Sequence, residues 1–258
     1  MNPGHAAILV SAALFLGILI CLEIGFRAGR RNLSKYREAA HEGIGVMEAA
    51  IFGLLGLLLG FSFAGGASRL DTKRQLVVQE ANAIGTAYLR LDFLPIDGQP
   101  EMRRLFRDYV DARIRVYEKL PDPEVAKQEL ARAAGLQNEI WSHTIVGSRN
   151  DPTQNAARLL VPAINEMIDI TTARTVALYT HLPLLIFALL STVALTSGLL
   201  AGYAMAKRGR RSVLHMVVYA AIIAVTLYAV LDLEIPRFGL IRLDAADRAL
   251  LQLRESMH

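Results

Sequence analysis

The sequence predicts an all-α fold, a four-span helical membrane protein with an extramembrane helical bundle between spans two and three. Three observations predict it. Apolar residues make up 53% of the 258-residue chain and the mean hydropathy is positive, above a typical soluble domain. They gather in blocks over residues 6–26, 44–67, 182–206 and 213–231, lengths that suit helices crossing a hydrocarbon core roughly 30 Å thick. Between the second and third blocks apolar residues recur at helical spacing among charged ones, with no strand signal, repeat or low-complexity segment. The expected division is a transmembrane hairpin over 1–67, a helical bundle over 68–179 continuous with spans two and three, a second hairpin over 180–233, and an amphipathic tail over 234–258.

Span one has no basic residue before its apolar run and no small-residue cleavage pattern after it, so it reads as a retained helix. Glu23 stands four residues before Arg27, a pairing distance on one helix face. The loop that follows carries Arg27, Arg30, Arg31, Lys35 and Arg37, which the positive-inside rule places in the cytoplasm.

Span two opens a helix over residues 46–94 that contains no proline. Ala49, Gly53, Gly56, Gly60 and Ala64 recur at spacings of three and four, and Gly56 and Gly60 form a small-xxx-small pair. Such a face suits close approach by another helix, or a narrow pore. Phe52, Phe61 and Phe63 flank the strip; apolar rings at a constriction gate by dewetting, and the same rings also pack against neighbouring spans. Glu48 reads either as a headgroup-level carboxylate or as part of a pore mouth. Further along, Glu80 and Asn82 form a ring around the axis if the helix lines one in an oligomer, and are otherwise helix-surface polarity or a buried hydrogen bond.

In the central region Asp97 and Gly98 make a turn, and Pro100 suits the first turn of a helix with Met102, Leu105, Phe106, Tyr109, Val110, Val116, Tyr117 and Leu120 on its apolar stripe. Pro121 stops it. Asp122 with Pro123 starts the next helix, and Asn150 or Asp151 before Pro152 repeats the signal. The last bundle helix runs from Thr153 into span three with kinks at Pro162 and Pro183. Arg103, Arg104, Arg107, Arg113, Arg115 and Lys119 alternate with Glu101, Asp108, Asp111 and Glu118, a solvated face.

KRGRR (residues 207–211) separates spans three and four and is a second cytoplasmic loop. Both loops inside put the termini and the bundle outside, in the periplasm if the bilayer is a bacterial inner membrane; Arg69, Lys73 and Arg74 work against that bias. Asp232 and Glu234 close span four with Arg237 as a charged anchor. The tail breaks at Pro236 and Gly239, then forms an amphipathic helix from Asp244 with Ala246, Leu250, Leu251 and Leu253 on its apolar side.

Chemistry is sparse. No GxSxG, HExxH, Walker-type loop, GxGxxG or CxxC occurs, and His5, His41, His143, His181, His215 and His258 lack metal-ligand spacing. The expectation is no enzyme, no cofactor and no metal. The net charge of +4 is accounted for by loops beside the spans, which excludes a nucleic-acid partner. Cys21 alone makes no intrachain disulfide.

Two stretches are distinctive: VVQEANAIGTAYLRLDFLP (residues 77–95) and LDLEIPRFGLIRLD (residues 231–244). Set among spans in a two-plus-two arrangement, they resemble a bacterial membrane-protein family whose domain is called bestrophin-like. The resemblance implies kinship with bestrophins, homo-oligomeric ion channels with four spans per subunit and the pore lined by the second, which would place residues 52–63 at a pore neck. An acidic calcium-clasp cluster is absent, PRFG is only an echo of the arginine-phenylalanine-proline pattern, and the bestrophin region corresponding to the bundle is cytosolic. Two functions follow as expectations: a homo-oligomeric channel passing inorganic ions, with span two around its axis, or a membrane-anchored scaffold or sensor whose bundle binds a partner.

Overall fold

The computed structural model describes residues 3–33, 42–118, 122–151, 153–207, 211–235, 239–241 and 243–258. Among them the regular structure is helical, without strands. Four helical stretches are long and apolar enough to cross a bilayer, Gly4–Arg31, Gly45–Phe93, Ala156–Ala206 and Val213–Glu234, so the chain is a multi-pass membrane protein in contact with lipid. Lys35, Arg37, His41, Lys119, Leu120, Pro121, Pro152, residues 208–210, Pro236 and Arg237, on which parts of the loop, stop and anchor expectations rest, lie outside the described residues.

Two compact units emerge. The span unit (Met1–Leu70 and His181–Ile241) holds α1 (Pro3–Leu33), the first part of α2 (Glu42–Leu89), α6 (Leu184–Lys207) and α7 (Val213–Glu234). Its core joins Ile18 and Leu22 of α1 to Leu190 and Ala194 of α6 and to Ala220 and Leu227 of α7. α1 and α6 meet backbone to backbone: a methyl group added at Gly25 would lie 1.9 Å from the Leu199 carbonyl oxygen, and one at Gly202 would lie 2.0 Å from that of Leu22. Only glycine permits this approach, which strengthens dispersion between helices that gain no hydrophobic drive in lipid. Between α6 and α7 the Tyr219 hydroxyl donates to Ser197 Oγ at 2.7 Å.

The end of α7 is built by its two acids, both buried. Asp232 accepts from the backbone N–H groups of Leu240 and Ile241 at 3.0 and 2.9 Å. A methyl at Gly239 would fall 1.4 Å from Asp232 Oδ1, so glycine is required for the returning chain to pass. Glu234 accepts from Arg69 Nε at 2.9 Å and from the Leu182 N–H at 3.0 Å.

The bundle unit (Asp71–Thr180 and Arg242–His258) holds the rest of α2, α3 (Gln99–Glu118), α4 (Pro123–Arg149), α5 (Val161–Tyr179) and α8 (Asp244–Ser256). The apolar stripe of α3 is buried from Met102 through Tyr117. Asp122 caps α4 by accepting from Glu124 and Val125 N–H groups, and Asp151 caps the following turn through the N–H groups of Thr153 and Ala156, both at 2.8 Å. A single π turn, Ala156–Leu160, precedes Pro162, absorbing the register change imposed where proline lacks a donor.

Two local expectations are corrected. Instead of kinking at Pro183, the helix is interrupted over residues 180–183; Thr180 is extended (φ −84°, ψ 110°), Pro183 steers Leu182 before it from helical ψ, and Glu234 takes up the freed Leu182 donor. On α8, Leu250 is buried but Leu251 is exposed, because the docked stripe runs through Leu250 and Leu253 and leaves the next residue pointing outward.

Candidate functional site

In the span unit α2 is the least covered helix: 11% of its apolar window is buried, against 28% for α1 and 33% for α7. It touches its neighbours through Leu55, Ser62 and Gly66 and through Phe52, whose ring meets Tyr219 edge-on at 6.3 Å. Phe52 therefore packs inside the subunit at the edge of the small-residue strip. That strip is open. Ala49, Gly53, Gly56, Gly60 and Ala64 are all exposed, and among the described residues nothing lies within 4 Å of a methyl built at Gly53, Gly56 or Gly60. Phe61 and Phe63 are exposed by 68% and 48%. Glu48 is half-buried, with one carboxylate oxygen enclosed and without a hydrogen-bond partner among the described residues.

In the bundle unit α2 is held through Glu80. Glu80 is fully buried; Arg113 Nε of α3 donates to Oε1 at 2.5 Å, and Arg174 of α5 donates to Oε2. Arg113 also donates to the Tyr117 hydroxyl at 2.7 Å, and the Arg174 guanidinium stacks 3.6 Å from the Tyr117 ring centroid. Asp247 of α8 lies 3.5 Å from Arg174. Burial alone would raise the Glu80 carboxyl, but the charges of Arg174 and Arg113 and their hydrogen bonds hold it below the usual range. The same proximity keeps Arg113 protonated, its pKa raised despite burial. Next to this cluster the Tyr109 hydroxyl, bonded to Thr171 and Gln137, is pushed up to about 12, chiefly by burial.

The vestibule expectation for Glu80 is thus corrected. It sits at the Val77–Ala81–Ile84 side of α2, against α3 and α5, not on the exposed side. Asn82 is on the exposed side. Arg113 was likewise read as part of a solvated face and is fully buried. Both had a legible signal. Arg113 continues the stripe Met102, Leu105, Phe106, Tyr109 at helical spacing, and Arg174 continues Met167 and Thr171 on α5. A cation standing on an apolar stripe of two helices, with an acid on that of a third, is the pattern of a buried charge cluster, since a lone buried charge is too costly.

Four apolar helical stretches, a bundle unit stapled by a buried Glu–Arg–Arg cluster, and two acids folding the end of α7 define a polytopic helical membrane protein; Glu80, Asp232, Glu234 and Gly239 fall in the two sequence stretches singled out above. The chain belongs to the family of the Bestrophin-like domain, whose model matches residues 12–246. Neither a curated protein nor a solved structure matches the chain.

Proposed function

We propose that this chain assembles as a homo-oligomeric ion channel in a bacterial inner membrane, with the open strip of α2 toward the symmetry axis. The observation that carries the reading is the contrast in α2: its small face, from Ala49 to Ala64, is left uncovered by its own subunit although small faces are made for close approach. Facing the axis, Gly53, Gly56 and Gly60 form the neck, Phe61 and Phe63 stand at its flanks as candidate apolar gates, Glu48 lies at one mouth, and Asn82 borders the vestibule. Arg27, Arg30 and Arg31 keep the end of α1 cytoplasmic, which puts the bundle unit in the periplasm.

The test is conductance of the purified protein in planar bilayers. Discrete currents that change in a Gly56→Leu or Phe61→Ala variant support the reading; silence equal to protein-free membranes across ionic conditions contradicts it. A second reading, a membrane-anchored scaffold or sensor, is favoured by the burial of Glu80 in a structural cluster. It expects an oligomer whose axis is filled by side chains or lipid.

A further inference from the structure

Building on the homo-oligomer proposed above, we infer that neighbouring copies join through the bundle unit in a heterologous contact, the outer face of α8 of one copy seated in the α2–α5 groove of the next.

The bundle unit presents α2 as a ridge between two flanks. Gln75, Val78, Asn82, Thr86 and Leu89 are exposed along it. On one flank Gln79 and Ala83 of α2 form a groove with Asn165, Glu166 and Asp169 of α5. On the other, α8 covers Ala81 and Gly85, with Leu253 Cδ1 3.1 Å from the position of a methyl on Gly85. If the ridge faces a symmetry axis, these flanks are the sides that meet adjacent copies.

The flanks are complementary. The outer face of α8 exposes Arg248, Leu251, Gln252 and Glu255 at spacings of three and four. Arg248 has no ion-pair or hydrogen-bond partner among the described residues, although other arginines of the unit, such as Arg103, Arg104 and Arg254, do. Leu251 stays exposed on a helix whose other leucines are at least partly covered. Across the ridge the groove offers two acids without a cation: Glu166 has no partner among the described residues, and Asp169 accepts only from Asn165 Nδ2, at 2.9 Å. Seating α8 there pairs Arg248 with Glu166 and Asp169 and covers Leu251 with Ala83 and the partly exposed Ile170. One subunit carries both halves on opposite flanks, so the contact is head-to-tail, and with the α2 ridges gathered about one axis it closes into a ring. A rim pair of this kind adds register more than affinity.

The test is disulfide trapping in membranes on a Cys21→Ser background, with Asp169→Cys and Leu251→Cys in one chain. Head-to-tail contact yields a ladder of dimers, trimers and higher species on non-reducing gels, because each copy is linked to two neighbours; neither single-cysteine chain yields it. Arg248→Glu lowers the ladder yield, and adding Glu166→Arg restores it. An assembly that is intact by native mass but forms no ladder overturns the contact and leaves the axial reading standing. Dimers from Leu251→Cys alone mean that α8 meets α8, which overturns it as well. A monomeric mass overturns both.

Discussion

Two glycine faces with the same sequence signature meet different fates. Gly25 and Gly29 of α1 and Gly198 and Gly202 of α6 lie so close to the opposite helix that added methyl groups would stand 1.9, 2.7, 3.2 and 2.0 Å from its backbone or side chains. Gly53, Gly56 and Gly60 of α2 have similar spacings, and methyl groups added to them would meet nothing within 4 Å among the described residues. The first pair is spent on the fold of one subunit; the second is left over, and in a membrane a leftover close-packing face is available to another copy or to an axis. A small-xxx-small motif therefore says that something approaches closely, and only the structure says whether the partner is in the same chain.

Four measurements test that contrast, beginning with the largest effect. Gly25→Leu combined with Gly202→Leu forces α1 and α6 apart at two backbone contacts. Each costs at least the ~3 kcal/mol at the upper end of overpacking, and no folded protein should be recovered from detergent extracts. Next comes α2 on its closed side. Glu80→Ala strips the carboxylate from two buried arginines and should cost about 3–5 kcal/mol of stability, the loss seen when one partner of a buried pair is removed; unfolding of the bundle followed by circular dichroism checks it, and a change under about 1 kcal/mol would contradict the buried geometry.

Alkaline pH gives a smaller effect at the same place. The folded Tyr109 hydroxyl titrates near 12 where the unfolded chain titrates near 10. Stability from this group is complete below pH 10 and is lost as pH rises toward 12, at up to about 1.4 kcal/mol per pH unit. Tyr109→Phe should flatten that limb of the pH–stability curve. Acid works in the opposite sense on Glu80: its folded pKa is lowered, so its contribution is present above the unfolded value and fades as pH falls below it. The smallest effect on the subunit belongs to the open face. Gly56→Leu should change subunit stability by less than about 0.5 kcal/mol, as surface changes do, while altering native mass or conductance. A large loss of subunit stability would show that the α2 strip is packed after all.

Much of the fold was legible from residue patterns. Four spans follow from apolar length, and Asp122 and Asp244 mark helix starts that the structure places at or beside them. The α1–α6 seam is also written in Gly25, Gly29, Gly198 and Gly202, at a spacing that the α2 strip shares. What escaped was direction around a helix. Glu80 alone reads as a vestibule ring, as helix-surface polarity or as a buried hydrogen bond, and Arg113 alone reads as part of a solvated face, because a single charge is cheaper in water; only their convergence with Arg174 in space makes burial tolerable. The gap at residues 180–183 escaped for a related reason, since a kink and a break read alike until the Glu234 carboxylate is seen holding the Leu182 donor.

The most direct measurement of the central claim is a structure of the assembly in lipid nanodiscs that locates α2 relative to the symmetry axis. The account predicts Gly53, Gly56 and Gly60 at the axis of a ring, around a path wide enough for water, with Phe52 turned away against Tyr219. Those glycines facing lipid, or an axis occupied by α1 or α7, would contradict it.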